Sequence, residues 1–394
     1  MSTPVARAEI VVDVAAIRHN VRALRELVAP SQLMVVVKAD GYGHGMAESA
    51  RAARDAGAEW LGVATIDEAL HLRATGDTGL VLCWLTVPGE DYAVAVAHDI
   101  DVTVYTEAEL AEVAAVQGDH PARVQIKVDT GLSRGGAPRD AWAGLFAAAA
   151  DLERDGRIVV SGVWSHFSSS DEPADPANDA QEAAFDAALD EATRAGLQPE
   201  LRHLANSAAA ILRPSSRRDL VRVGIASYGL DPAPGQTPDL GLVPAMTARA
   251  TLAMVKDVEA GAAVSYGRTW VAEEPTRLGL VPVGYADGIP RVAGNRAEVL
   301  VAGARRSVRG RICMDQLVVD LADADAKAGD DAVLFGPGVH GEPTAQDWAD
   351  ACGTISYEIV TRIGGRMTRR HVDSERDSER DSGQDSGQDS EVDR

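Results

Sequence analysis

Between about residues 14 and 235, short β-branched runs alternate with alanine-rich segments in which apolar residues recur every three to four positions. The runs at 33–38, 60–64, 80–84, 102–105, 124–128, 159–165, 201–205 and 220–223 predict strands. Segments such as 15–28, 46–56, 107–116, 141–153 and 181–195 predict the intervening helices. Eight such units in roughly 220 residues match a (β/α)8 barrel of the TIM type. The period then changes. Residues 246–258, 277–284, 297–301, 306–313, 317–321 and 331–335 alternate as strands joined by Gly and Pro turns, which predicts a β-rich C-terminal domain. The expected organisation is therefore an N-terminal strand over 1–12 packing with the C-terminal domain, the barrel over 13–238 and the β-rich domain over 239–371. The four-residue repeats of 372–394 lack large apolar residues and are expected to form a disordered acidic tail.

Composition narrows the partners. A chain of 394 residues with 45% hydrophobic residues can bury a large core, and no apolar run approaches the roughly 20 residues needed to cross a bilayer. A net charge of −22 and a pI near 4.8 argue against nucleic acid and anionic membranes and favour a small substrate. The start lacks the apolar segment of a secretory signal, so the cytoplasm is expected. Cys83, Cys313 and Cys352 are far apart and lack metal-ligand spacing, so neither a disulfide framework nor a metal site is predicted.

A barrel does its chemistry where its strands end. The first strand delivers Lys38 into Asp40-Gly41-Tyr42-Gly43-His44-Gly45, where alternate glycines allow close approach of backbone and ligand. A desolvated lysine there can form a Schiff base with a carbonyl compound, and it can equally snorkel to solvent before an ordinary turn. The fifth strand leads to Lys127, Asp129 and Arg134, the sixth to His166, the seventh to His203, Asn206 and Ser207, and the eighth to Arg222, Gly224 and Ile225. Loops after strands seven and eight form the usual phosphate site of such barrels, which Ser207 and Gly224 suit. Asn-Ser is also a common helix cap and Gly a common turn residue. A Schiff-base lysine and a phosphate cradle in one barrel mouth suggest pyridoxal 5'-phosphate as cofactor.

The segment Val37-Lys38-Ala39-Asp40-Gly41-Tyr42-Gly43-His44-Gly45 resembles the cofactor-lysine signature of the alanine racemase family. Further matches are Lys127-Val128-Asp129-Thr130-Gly131, Val264-Ser265-Tyr266-Gly267-Arg268, Gly284-Tyr285-Ala286-Asp287-Gly288, Gly310-Arg311-Ile312-Cys313-Met314-Asp315-Gln316 and Ile355-Ser356-Tyr357-Glu358-Ile359, and the resemblance spans residues 8 to 371. It implies interconversion of L- and D-alanine, supplying D-alanine for cell-wall peptidoglycan. It also implies that Lys38 binds the cofactor and shares proton transfer with Tyr266, one base on each face of the substrate. Arg222 would face the ring nitrogen, His203 would bond Arg222, and His166 would lie against the ring. Tyr42, Ser207, Gly224, Ile225 and Tyr357 match phosphate ligands, with Asn206 beside them. Arg134 matches the arginine that contacts the catalytic tyrosine. Lys127 matches a lysine that some members carry as a carbamate, which helps place that arginine. Tyr285, Met314 and Asp315 match the substrate wall, and Asp171, Arg291 and Arg311 an outer gate. The family's sites are shared across a head-to-tail homodimer, so Tyr266, Tyr285 and Met314 are expected to act with Lys38 of a second copy.

Leu132 and Ser168-Ser169-Ser170 depart from the family's usual methionine and small apolar residues. A racemase for another small amino acid such as serine is the nearest alternative. A related decarboxylase is disfavoured because such enzymes usually pair the ring nitrogen with a carboxylate, where this chain has Arg222.

Overall fold

The computed structural model describes residues 6–375. These divide into two compact units, one of Arg18–Gly41 with Gly45–Leu242, the other of the residues through Ile17, Tyr42–His44 and those from Val243 onward.

In chain order the first strand, β1 (Ala8–Asp13), belongs to the second of these units. The first unit is a parallel sheet of β2 (Gln32–Val36), β3 (Trp60–Val63), β4 (Leu80–Cys83), β5 (Ile100–Val104), β6 (Ala122–Lys127), β7 (Ile158–Trp164), β8 (Leu201–His203) and β9 (Leu220–Val223), in the order β8-β7-β6-β5-β4-β3-β2-β9. Its two ends meet through Asp219 N–H to Arg202 O (3.1 Å) and Arg222 N–H to Ala205 O (3.1 Å), which closes the (β/α)8 barrel. Two of the helices, Ile66–Ala74 and Glu107–Ala114, start with reciprocal capping boxes, Thr65 with Glu68 and Thr106 with Glu109.

Side chains alternate across each strand, so residues paired in register share a face. Met34, Trp60, Leu82, Leu201 and Leu220 fill one part of the barrel interior. Asp101 pairs in register with Leu82, and Gln125 pairs with Gly162, which in turn pairs with Leu201. The interior therefore also carries a polar half: Asp101, Thr103, Gln125, Ser161, His203 and Arg222, all buried.

The second unit is built on a nine-stranded sheet in the order Met254–Val258, Thr276–Val281, Leu317–Asp320, Ala304–Arg309, Glu298–Val301, Asp331–Phe335, Met246–Thr251, Ala8–Asp13, Thr368–Val372. The N-terminal strand lies antiparallel to Met246–Thr251 and parallel to Thr368–Val372. The single strand expected over 246–258 is two strands near opposite ends of the sheet. Between them Leu252 N–H bonds Asp330 O and Ala253 N–H bonds Leu280 O, each about 2.8 Å, so the chain changes partners there. The last strand runs through Val372, one residue into the segment read as tail. Residues 373–375 of that reading are also described, with the Ser374 N–H on Asp13 Oδ1 (3.3 Å), and 376–394 lie outside the described residues.

Candidate active site

The ladder of β2 reaches Val37, whose N–H bonds Gly62 O at 2.9 Å, and the chain then winds left-handed. Ala39, Asp40, Gly41 and Tyr42 have φ of 52°, 53°, 63° and 53°. Such turns cost on the order of 1–2 kcal/mol per non-glycine residue, so neighbouring groups must hold this one. Glu68 Oε1 accepts from Ala39 N–H (2.7 Å), Val37 O from Gly41 N–H (2.8 Å), and Asp40 Oδ1 from Met46 N–H (2.9 Å). Lys38 thus opens a fixed turn instead of closing the strand as expected. Its Nζ lies 5.6 Å from the centre of the Trp84 ring.

Lys127 at the end of β6 pairs in register with Trp164, and Trp164 with His203. The Trp164 ring stacks on His203 at 5.6 Å, with the Lys127 ammonium 4.5 Å and the Arg222 guanidinium 4.7 Å from its centre. The loop after β6 is pinned by Asp129, whose Oδ1 accepts from Gly131 and Ser133 N–H (2.9 and 3.1 Å), and by Asp129 N–H to Ala137 O (2.8 Å). That loop carries Arg134, which is exposed.

Arg222 is 4% exposed. Its Nη1 donates to His203 Nδ1 (2.9 Å) and His203 O (3.2 Å). Its Nη2 donates to Ser165 O (2.8 Å), Leu204 O (3.1 Å) and His166 Nδ1 (3.2 Å). None of these bonds uses Nε, so among the described residues its N–H remains an uncommitted donor on a buried cation. Ser207 Oγ accepts from Gly224 N–H at 2.9 Å, which places Ser207, Gly224 and Ile225 together. Asn206 caps the short helix Ser207–Leu212 through Ala209 N–H (3.1 Å) and accepts from Ser170 Oγ (2.9 Å).

Protonation follows from burial beside these cations. Lys38 is held below the ordinary lysine range by burial and then by the charge of Arg134, with Glu68 acting in the opposite sense. Lys127 is pushed down to about 8 by burial and the charges of Arg222 and Arg134. Burial pushes Arg222 down to about 9, still protonated at neutral pH. Burial and Arg222 hold both His166 and His203 well below the usual histidine range, so both are neutral.

In the second unit Tyr266 occupies the turn between the short strands Ala263–Val264 and Trp270–Val271. Ser265 before it has φ 62° and donates Oγ–H to Arg311 O at 2.5 Å. Gly267 after it leaves room for the Arg311 guanidinium, since a Cβ there would lie 2.9 Å from Arg311 Cζ. Tyr285 and Ala286 N–H donate to Cys313 O (3.1 Å) and Met314 O (3.0 Å). Tyr266, Arg311, Met314 and Tyr285 are thereby joined into one rim. Tyr266, Tyr285 and Met314 are 71%, 41% and 53% exposed, unusual for large apolar residues. Asp315 accepts from Arg366 Nη1 at 2.6 Å. Arg291 opens a turn whose Gly294 packs against Gly310 O. The Tyr42 and Tyr357 rings are 6.2 Å apart, while Asp171 is exposed in the loop after β7.

Several contributors were not singled out from the sequence. Trp164, Trp84, Gln125 and Asp101 differ from ordinary strand residues only through cross-strand register. Gln181 ties two loops, accepting from Ser168 N–H (2.8 Å) and donating to Thr130 Oγ1 (3.2 Å) and His166 O (3.0 Å). Ser168 Oγ also donates to Gln181 Oε1 (3.0 Å) and Ser170 Oγ to Asn206 Oδ1 (2.9 Å), so two of the serines that depart from the family pattern anchor the loop. Their hydroxyls were visible in the sequence, and their partners were not.

The profile for the alanine racemase N-terminal domain matches residues 12–232, and that for its C-terminal domain residues 245–371. An alanine racemase of Salinispora arenicola is 52% identical over 372 residues, which is 94% of this chain and 99% of that protein. The crystal structure of alanine racemase from D-cycloserine-producing Streptomyces lavendulae superposes with TM-score 0.92 at 51% identity, covering 94% of this chain and 98% of that one. The Bartonella henselae alanine racemase, described with covalently bound pyridoxal phosphate, superposes with TM-score 0.84 at 30% identity, covering 94% and 100%.

Proposed function

Since the chain belongs to the alanine racemase family, we propose that its interconversion of L-alanine and D-alanine uses two bases and pyridoxal phosphate bound in the barrel mouth. The reaction supplies D-alanine for peptidoglycan synthesis. The observation that carries the mechanistic reading is Arg222, buried and cationic, with its Nε–H uncommitted while two neutral histidines and three carbonyls fix its Nη atoms. A ring nitrogen that accepts a hydrogen bond fits that donor.

When bound, pyridoxal phosphate supplies a conjugated ring that spreads the electron pair left on the substrate's Cα. Lys38 would hold it covalently, Arg222 would donate to its ring nitrogen, and His166 would lie against its face. Ser207 Oγ–H, steadied by the Gly224 N–H, and the Ile225 N–H, with Tyr42 and Tyr357, would hold the phosphate beside Asn206. Lys38 Nζ, released when the substrate's amino group takes its place, then takes or returns the α-proton on one face. The lowered proton affinity of Lys38 raises its neutral fraction, which a base needs. Tyr266 Oη of a second copy serves the opposite face, with Tyr285, Met314 and Asp315 as the substrate wall, Arg134 contacting that tyrosine, and Asp171, Arg291 and Arg311 at the gate. The exposed rim around Tyr266 supports this head-to-tail homodimer. We also place the enzyme in the cytoplasm. Its three free cysteines suit a reducing compartment, and no helix among the described residues is long and apolar enough to cross a membrane.

The test is loss of α-deuterium together with change in optical rotation across L- and D-amino acids, serine included. Alanine is expected to be the fastest substrate, and a faster serine would overturn the substrate assignment.

Lys127 carries a second expectation. At a pKa near 8 about one molecule in ten is neutral at pH 7, against roughly one in a few thousand for an ordinary lysine. Only a neutral amine adds carbon dioxide, so Lys127 is expected to carry a carbamate whose negative charge attracts Arg134. Labelling with 13C-bicarbonate should give a carbamate carbonyl resonance absent from Lys127→Ala, and no difference between the two proteins would refute it.

A further inference from the structure

Within the polar half of the barrel interior, Asp101, Ser161, Gln125, His203 and Arg222, but not Thr103, are joined in a chain of hydrogen bonds that rises toward the mouth. At its foot Asp101, buried, accepts from Arg123 Nε (2.7 Å) at Oδ1 and from Ser161 Oγ (2.5 Å), Gln125 Nε2 (3.1 Å) and, more loosely, Arg123 Nη2 (3.4 Å) at Oδ2. Gln125 Oε1 meets His203 Nε2 at 2.8 Å, and His203 Nδ1 meets Arg222 Nη1 at 2.9 Å.

Each link permits one direction only. A carboxylate solely accepts, so Gln125 turns its amide nitrogen down and its oxygen up. His203 Nε2 must then be the N–H, which leaves Nδ1 as the acceptor that Arg222 requires. The strand opposite is shaped for this: a Cβ on Gly162 would lie 3.1 Å from Gln125 Oε1. His203 is kept neutral by burial and by Arg222, so it has one proton to place. We infer that Asp101 is a positioning residue which, through Gln125, sets His203 in the Nε2–H tautomer and so keeps Arg222 aimed at the cofactor ring; this rests on the pyridoxal phosphate reading of the mouth.

Asp101→Asn reverses the chain while keeping its shape. The asparagine oxygen stays with Arg123, so its NH2 faces Ser161 Oγ and Gln125. Gln125 then flips, donates to His203 Nε2 and leaves the proton on Nδ1, opposite a donor. Arg222 Nη1 has a second acceptor, His203 O at 3.2 Å, so the misfit is released by moving Arg222. Adding Gln125→Glu restores the original direction, because a carboxylate at 125 accepts both from the new amide at 101 and from His203.

The experiment uses the full-length chain with 15N-labelled histidine, the His203 signals identified by their loss in His203→Asn. The wild-type protein should show the Nε2–H tautomer, with or without cofactor. In Asp101→Asn that pure state should be lost and kcat for alanine should fall about ten- to a hundredfold, with KM within about threefold. The double variant should recover both the tautomer and, within about threefold, kcat. A wild-type His203 that is Nδ1–H or doubly protonated overturns the inference without any variant, and so does a single variant with unchanged tautomer, or a double variant that is not rescued. Failure of the wild-type protein to bind pyridoxal phosphate would instead remove the cofactor reading, while the tautomer in the cofactor-free protein still decides the direction of the chain.

Discussion

Replacing Lys38 by alanine is expected to lower racemisation of alanine by at least about 10⁴-fold, since the variant loses both its covalent attachment point and one of two bases. Exchange of α-deuterium from both enantiomers should fall together, because the attachment point serves both. Folding should survive. Lys38 is a largely buried ammonium whose proton affinity is lowered in the folded state, so at neutral pH it costs stability. With both proteins free of cofactor, the variant is therefore expected to melt at or above the wild-type temperature. The cost disappears as pH rises toward the ordinary lysine pKa, so the variant's advantage should shrink above neutral pH. Racemisation within a hundredfold of wild type, measured by optical rotation, would remove Lys38 from the mechanism.

How much of this site could be read beforehand differs from residue to residue. Lys38 stood out because a β-branched run delivers it into alternating glycines. Its left-handed turn did not, since Ala39 and Asp40 are held at positive φ by Glu68 and Met46, contacts no local pattern displays. The parallel barrel was legible because continuous apolar runs bounded by helices leave few other solutions. In the β-rich unit alternation misled at 246–258. Met246, Ala248, Ala250 and Leu252 are buried in strict alternation, so the pattern continues across the point where the chain leaves one strand for another. The helices Ala345–Cys352 and Ser356–Arg362 and the strand Thr368–Val372 escaped notice because each is short. Asp101 and Gln125 escaped for another reason. A polar residue on the inward phase of a barrel strand has meaning only once the register names its neighbour.

Tyr266→Phe should separate proton removal from inversion. The enantiomers of alanine have equal free energy, so kcat/KM for racemisation must fall by one factor in both directions, expected to be about 10² to 10⁴. Exchange need not follow. With Lys38 intact, one enantiomer should still lose its α-deuterium with retention, while the other should not. The substitution removes only a hydroxyl from a residue that is 71% exposed, so stability should not change. Equal exchange from both enantiomers, or unchanged racemisation, would exclude Tyr266 as a base. Mixing this variant with Lys38→Ala then tests where the two bases meet. If each site takes Lys38 from one copy and Tyr266 from the other, a mixed dimer holds one doubly defective site and one intact site. Random reassortment of equal amounts makes half the dimers mixed, so about one quarter of wild-type activity should return from two inactive proteins. If both bases came from one copy, no mixture could restore an intact site, and activity would stay at the level of the separate variants.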